Sequence, residues 1–400
     1  MYIESISFSK KPINGKGWEI KECNFNKINL IAGQNSAGKT RLLNAINILI
    51  NMLINDKIQF NVLFKIKSKW KISLKDKDNR YIYELEIEDN IILYEKLLIN
   101  GKEYFNRDKN GKYEIEYEKA GIKIESEISK NKFVLSFKYK DRIQHSSLES
   151  LSKWVNSVYM YNFGGSLGKN STLSNKAEDI DEDTLFARIN RDDKAVVLKF
   201  EKALNKEKEF KDQIIQDFNS IGYNIEDIGT TKIDINSARI PKRIKDVISN
   251  ISSLLYIKEY GIKDKIFQQD ISQGMFRVLS LIIQIKYLEY ELDNFSATIL
   301  IDDIGEGLDY ERATKLIKYI IKNSQKLEDK VQLIMTTNDR FTMNNIPLEY
   351  WIIINKENNG KINFYTKKTH QECFEDFEDV GLNNFDFFSG EYYKHCIGNE

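Results

Sequence analysis

Residues 28–43 read INLIAGQNSAGKTRLL, and this stretch decides the fold. Its centre, Gly33-Gln34-Asn35-Ser36-Ala37-Gly38-Lys39-Thr40, satisfies G-x-x-x-x-G-K-[ST] at every position. A short apolar run (Ile28, Leu30, Ile31) precedes it and a helix-period segment follows, so the context is strand, loop, helix. Glycines at 33 and 38 let the backbone turn its N–H groups inward, and the helix N-terminus adds partial positive charge beneath a bound phosphate. Lys39 is placed to reach terminal phosphates and the Thr40 hydroxyl to ligate magnesium. A charge-assisted hydrogen bond contributes roughly 1.5–3 kcal/mol, so several together carry nucleotide affinity. The alternative, a glycine-rich turn matching by chance, leaves the flanking strand and helix unexplained. The stretch predicts a nucleoside triphosphate site.

Outward from the loop, Leu42, Leu43, Ile46, Leu49, Ile50 and Leu53 form an apolar stripe, with Asn44, Asn47, Asn51 and Asn55 on the other face. Packing accounts for this helix. Upstream, residues 1–31 read as two strands around Asn14-Gly15 and Gly17. Downstream, residues 58–140 change to period two: Phe60, Val62, Phe64 and Ile66; Trp70, Ile72 and Leu74; Tyr81, Tyr83, Leu85 and Ile87; Tyr113, Ile115 and Tyr117; Phe133, Leu135 and Phe137. Asp78-Asn79, Asn100-Gly101 and Asn110-Gly111 are hairpin signals, so an antiparallel meander follows the first helix. Its lysines Lys65, Lys67, Lys69, Lys71 and Lys75 read as a solvated strand face, with DNA phosphates as the sharper alternative.

Residues 150–165 suggest a strand through Val155, Val158 and Met160, ending in Gly164-Gly165. The polar 166–193 segment reads as a loop or lid, 194–220 as helical, and a further helix is expected from Pro241 through Ile244, Val247, Ile251 and Leu254. Residues 254–257 and 265–267 flank a hairpin turn at 261–264 that delivers the chain to Asp270-Ile271-Ser272-Gln273-Gly274-Met275-Phe276-Arg277 and a strongly apolar helix. The run 297–303, ATILIDD, is a buried strand ending in two carboxylates, and Gly305 to Asp309 turns into an amphipathic helix. A core strand at 331–335 ends in Thr336-Thr337-Asn338-Asp339, and two more strands follow at 351–354 and 362–365. The tail carries Phe374, Phe377, Phe385, Phe387 and Phe388 among acids, a density that predicts docking onto the body, with a partner-binding segment as the alternative.

Composition bounds the answer. A length of 400 residues implies two lobes or one elaborated domain, and 41% hydrophobic residues suffice for its interior. Sixty Lys+Arg balance sixty Asp+Glu, so there is no global nucleic-acid footprint and DNA stays a candidate partner only through a local patch. Cys23, Cys373 and Cys396 and the three histidines lack metal-ligand spacing, which argues against zinc or a disulfide framework and for a reducing cytoplasm. No apolar run approaches the roughly 18 residues of a membrane span, and the start MYIESISFSKKP has no signal-peptide core, so no membrane partner is expected.

A strand ending in Asp302 after a phosphate loop is a Walker B arrangement, with the carboxylate holding magnesium together with Thr40. Ser272-Gln273-Gly274 at a helix start, usually only a cap, gains meaning from its place shortly ahead of that strand, as a second anion site. This ordered set resembles the ABC-type ATPase heads of the SMC, RecF and OLD group, over about the first 55 residues and 253–355. The tail from Gly381 to Phe388 is similar to that of small stand-alone AAA/ABC ATPases of bacterial anti-phage systems such as PARIS.

The resemblance implies an α/β P-loop NTPase head with a mixed sheet core, an inserted antiparallel β-meander and a helical lobe. The implied division is 1–57 and 253–370 for the ATPase core, 58–150 for the β insertion, 151–252 for the helical lobe with its lid, and 371–400 for the tail. It also implies ATP and Mg2+, a signature motif at Ile271-Ser272-Gln273-Gly274-Met275 that contacts the nucleotide of a second subunit, and a D-loop at Leu308-Asp309. Asp303 stands where the family has a water-polarising Glu, one methylene shorter, which implies slow turnover. Asn338 replaces the switch histidine, and no glutamine is placed as the Q-loop. Without long heptads or an acidic nuclease domain, any toxin or nuclease is expected on another polypeptide. The leading expectation is a cytoplasmic, homo-oligomeric ATPase switch controlling a separate effector in phage defence. Two others stand beside it: a RecF-like DNA repair ATPase, and a nucleotide-sensing scaffold with little hydrolysis.

Overall fold

The computed structural model describes residues 1–12, 17–58, 66–77, 79–139, 141, 143–169, 191–231, 253–291, 296–327, 330–357 and 361–395. The chain opens with β1 (Tyr2–Pro12) and β2 (Trp18–Asn24), then β3 (Ile28–Ala32) and helix α1 (Lys39–Asn55). An antiparallel run follows: β4 (Ile66–Asp76), β5 (Asn79–Glu88), β6 (Ile91–Ile99), β7 (Lys102–Arg107), β8 (Lys112–Tyr117) and β9 (Ile122–Glu127). Helices α2 (Val134–Lys138) and α3 (Glu149–Val155) lead to β10 (Val158–Asn162), α4 (Val196–Lys206) and α5 (Phe210–Ser220). Strands β11 (Ile225–Thr231), β12 (Leu254–Glu259) and β13 (Ile266–Phe267) make a small separate sheet. Then come α6 (Gln273–Glu291), β14 (Ala297–Asp302), α7 (Tyr310–Lys326), β15 (Val331–Thr337), α8 (Arg340–Asn344), β16 (Trp351–Lys356) and β17 (Lys361–Tyr365). The tail forms α9 (Gln371–Glu378), α10 (Asn384–Ser389) and α11 (Tyr392–His395).

Among the described residues one mixed sheet runs β10-β14-β15-β3-β16-β17-β2-β1-β4-β5-β6-β7-β8-β9. The first five strands are parallel, and β3, β14 and β15 are buried along their whole length. Covered on both faces, they read as unbroken apolar runs rather than alternating ones. Strand β1 pairs β2 on one side and β4 on the other, so the meander prolongs the same sheet. There β5 alternates from Tyr81 to Glu88 between buried and half-buried residues, as a sheet with one packed face requires.

The two faces hold two cores. Leu30, Ile299, Leu333 and Met335 pack with Phe276, Leu279 and Leu316 of α6 and α7. On the other face, Ile31, Leu300 and Ile334 pack with Leu42, Leu43, Ile46 and Leu49 of α1 and with Trp70, Ile72 and Tyr83 of the meander. Each fully buried aliphatic or aromatic side chain contributes roughly 1.5–3 kcal/mol. The Trp70 indole also donates to the Ala45 carbonyl at 3.0 Å, fixing the meander on α1.

Several expectations are corrected. Phe133, Leu135 and Phe137 alternate, yet residues 134–138 are helix α2, because the buried Glu95 carboxylate accepts from the backbone N–H groups of Val134 (2.8 Å) and Leu135 (3.0 Å) and holds a helix start open. Val155 ends helix α3 instead of belonging to the strand, which begins at Val158. Leu254 opens strand β12; the rest of the helix expected from Pro241, like the Phe60–Phe64 alternation and most of the 166–193 segment, lies outside the described residues. Cys373 is disulfide-bonded, against the expectation of free thiols. The tail docks: Phe374, Phe377 and Phe387 are buried together, Asn384 Nδ2 donates to the Ile346 carbonyl at 2.8 Å, and Phe385 N to Asn344 Oδ1 at 2.7 Å. Among the described residues no helix is long and apolar enough to cross a membrane.

Candidate nucleotide site

The site forms where the parallel strands end. β3 delivers the chain at Ala32 into the loop, and α1 begins at Lys39 with Gly38 at its N-cap position and no side chain capping it. Its first N–H groups therefore stay open to an anion. Two glycines are demanded by close approach: a Cβ at Gly33 would lie 2.7 Å from the Ile354 carbonyl oxygen, and one at Gly38, where φ is +115°, 3.0 Å from the Trp18 ring. The Lys39 ammonium donates to the carbonyls of Gly33 (2.6 Å) and Gln34 (3.1 Å). Burial lowers its pKa, against the pull of Asp303 and Asp302. Gln34, Asn35 and Ser36 are exposed at the loop's rim and Ala37 is buried beneath it.

Strand β14 brings Asp302 beside this loop. Its Oδ1 accepts from Thr40 Oγ1 at 3.1 Å and from the buried Thr336 Oγ1, at the end of β15, at 2.6 Å. The Asp303 backbone N–H donates to the same Thr336 oxygen at 2.9 Å, and Asp303 is held at φ +54°. Burial raises the Asp303 carboxyl above the usual range, with Asp302 and Glu306 adding to the rise and Lys39 opposing it. Asn338 Nδ2 donates to Asp303 Oδ1 at 3.4 Å. A hydroxyl and a carboxylate converging beside an uncapped helix start are hard-oxygen donors of the kind magnesium takes. Of the residues singled out in the sequence, Gly33 to Thr40, Asp302, Asp303 and Asn338 thus share one cleft.

Ser272, Gln273, Gly274 and Asp309 do not join it: among the described residues no hydrogen bond or ion pair links them to the phosphate loop. Ser272 is exposed at the start of α6, and a Cβ at Gly274 would lie 2.9 Å from the Gly307 carbonyl oxygen. Asp309 caps α7, accepting from Arg312 N at 3.0 Å and pairing with its guanidinium at 2.7 Å, and its pKa falls, chiefly through the Arg312 backbone bond.

Two further residues organise the site. Thr336 anchors both acids. Arg277, one turn into α6, donates from Nε to the Gly165 carbonyl at 3.0 Å, from Nη1 to the Glu306 carbonyl at 2.9 Å and from Nη2 to the Gly164 carbonyl. It ties the helix to the turn after β10 and to the loop after Asp303. The only sequence signals were a hydroxyl at a strand end and a cation early in an apolar helix. The residue in register with Asp302 on the neighbouring strand is Asn162, so an asparagine, not a glutamine, ends β10.

A family model described as "AAA domain, putative AbiEii toxin, Type IV TA system" matches residues 28–344. The chain belongs to that family. This AAA domain also shares its fold with the SMC head in a crystal structure of an SmcHead bound to the C-winged helix domain of ScpA, at TM-score 0.52 and 14% identity, covering 93% of this chain and 100% of that one. No curated protein matches the chain. The family places the chain among AAA-type ATPases, which generally use ATP and Mg2+, and its fold is that of an SMC head. The 28–344 span takes in the phosphate loop, Ser272 to Gly274, both acids and Asn338.

Proposed function

We propose that this AAA domain binds Mg·ATP in the cleft and acts as a slow ATPase switch whose heads pair face to face. Lys39 and the open N–H groups of α1 would hold the phosphates, and Thr40 and Asp302 would hold the magnesium, which screens phosphate charge when bound. Asp303 and Asn338 would orient the attacking water. Ser272 and Gly274 of one copy would close over the nucleotide of the other, with Gln273 and Asp309 beside them. The observation that carries this reading is the separation just described: Lys39, Thr40 and Asp302 converge in one cleft, while Ser272 is exposed at the start of α6, apart from that loop.

The ends served by the switch rest on resemblance alone: control of a separate effector protein, a toxin or nuclease, in cytoplasmic anti-phage defence. The SMC head named above is bound to a winged-helix partner, which is a precedent for an AAA head that docks another protein. A DNA-clamping role gains no support from the meander, because Lys67, Lys69 and Lys71 are already paired with Glu84, Glu86 and Glu88 across the strands.

A second reading, a nucleotide sensor with little turnover, is favoured by Asp303, whose side chain is one methylene shorter than a glutamate's and reaches less far toward an attacking water. Equilibrium binding of a fluorescent ATP analogue, paired with phosphate release, separates the two. The switch reading expects binding that Lys39→Ala abolishes, and release that Asp302→Ala lowers. Unchanged binding by Lys39→Ala sinks the site assignment. Release no greater than that of Asp302→Ala leaves the sensor.

A further inference from the structure

The meander ends in an open sheet edge. Among the described residues β9 pairs only with β8, so one side of Ile122 to Glu127 presents unpaired backbone N–H and C=O groups, a template for another strand. Ile122 is 52% exposed on this edge. Beside it, Phe137 of α2 and Ile143 are exposed as well. They flank the same strand ends, since the Lys138 ammonium lies over the rings of Tyr113, Tyr117 and Phe137, and Glu118 N donates to the Gln144 carbonyl.

Edge strands are normally defended by charges that repel on self-pairing, by proline or by a bulge. β9 has no proline, its ladder with β8 is regular from Ile122 to Glu127, and its charges have mixed sign. The order Ile122-Lys123-Ile124-Glu125-Ser126-Glu127 is complementary to itself when reversed about Ile124. In an antiparallel pair centred there, Ile124 meets its own copy, Ile122 meets Ser126, and Lys123 meets Glu125 twice. Every pair then keeps its face, because opposed positions differ by an even number of residues. Glu125 also needs a cation: within the chain it stands opposite Glu114, a like charge, while Lys123 is drawn to Glu114 at 3.5 Å.

We propose that two copies of this chain join through β9, antiparallel about a two-fold axis at Ile124, continuing the sheet from one molecule into the next. This contact lies at the far end of the sheet from β3 and the phosphate loop. It needs no nucleotide and stands whether or not the reading of the cleft does. A chain with two self-complementary faces, one at the nucleotide and one at β9, assembles beyond a dimer.

Sedimentation equilibrium of the full chain without nucleotide, over a concentration series, tests this. The parent is expected to be a reversible dimer. Lys123→Glu sets like charges opposite each other twice and should raise the dissociation constant roughly ten-fold or more. The double variant Lys123→Glu/Glu125→Lys restores the complement in reverse and should regain the parent constant, which a misfolded protein would not do. Lys39→Ala should leave the dimer unchanged. A parent that stays monomeric at every concentration, a dimer indifferent to Lys123→Glu, or a double variant that fails to recover overturns the proposal.

Discussion

Replacing Thr336 by valine removes one hydroxyl and almost no volume, and that oxygen carries both acids of the cleft. It is fully buried, donates to Asp302 Oδ1 at 2.6 Å and accepts from the Asp303 backbone N–H at 2.9 Å. A hydrogen bond to a charged group contributes about 1.5–3 kcal/mol, and orphaning a buried N–H costs about 1–3 kcal/mol. The two losses share one centre and are not additive, so a net destabilisation of roughly 3 kcal/mol follows. Thr336→Ser keeps the oxygen and loses one methyl, costing about 1 kcal/mol. Urea unfolding in magnesium-free buffer near neutral pH measures both. The valine variant should also bind Mg·ATP roughly ten-fold more weakly, because Asp302 keeps only Thr40 as an anchor. Equal stability of the two variants would refute this account of how the acids are held.

Other outcomes follow from the same geometry. Gly33→Ala should fold but lose nucleotide binding in a fluorescence titration, because its Cβ would meet the Ile354 carbonyl and push the loop off its frame. Arg277→Lys keeps the charge but loses the fork that grips three carbonyls. It should lower nucleotide-dependent pairing more than monomer affinity, as read by sedimentation and by binding of the same analogue. Burial pushes the Lys199 ammonium from 10.5 down to about 7. Between those values the unfolded chain binds the extra proton, so this group makes stability climb with pH, by ~2 kcal/mol from pH 7 to 9. Lys199→Met should flatten that part of the slope in urea unfolding at the two pH values.

What could be read in the sequence was what local spacing encodes. The phosphate loop, the acids at the end of β14 and the apolar stripe of α1 are contiguous patterns, and each occupies the predicted element. Where a contact from afar decides the local structure, the pattern misled: the alternation at Phe133 to Phe137 mimics a strand, and only Glu95, far back in the chain, makes it a helix. Strand β11 was missed because Ile225 to Thr231 offers just two buried apolar residues, Ile225 and Ile228. Thr336 and Arg277 were missed for the same reason: their partners come from other strands and loops. Of the meander lysines, Lys69, Lys71 and Lys75 are exposed as a solvated face requires, with Glu86 and Glu84 opposite the first two in register, while Lys65 lies outside the described residues.

The central claim is that a nucleotide gripped by Lys39, Thr40 and Asp302 of one copy is closed over by Ser272 and Gly274 of another. Mixing two disabled variants tests it most directly. Lys39→Ala has no grip but an intact closing surface; Ser272→Arg has the reverse. Each alone should release no phosphate from ATP above background, and an equal mixture should regain it, because the mixed pair holds one complete site. Full release by Ser272→Arg alone, or a mixture as inactive as its components beside an active parent, would contradict the claim.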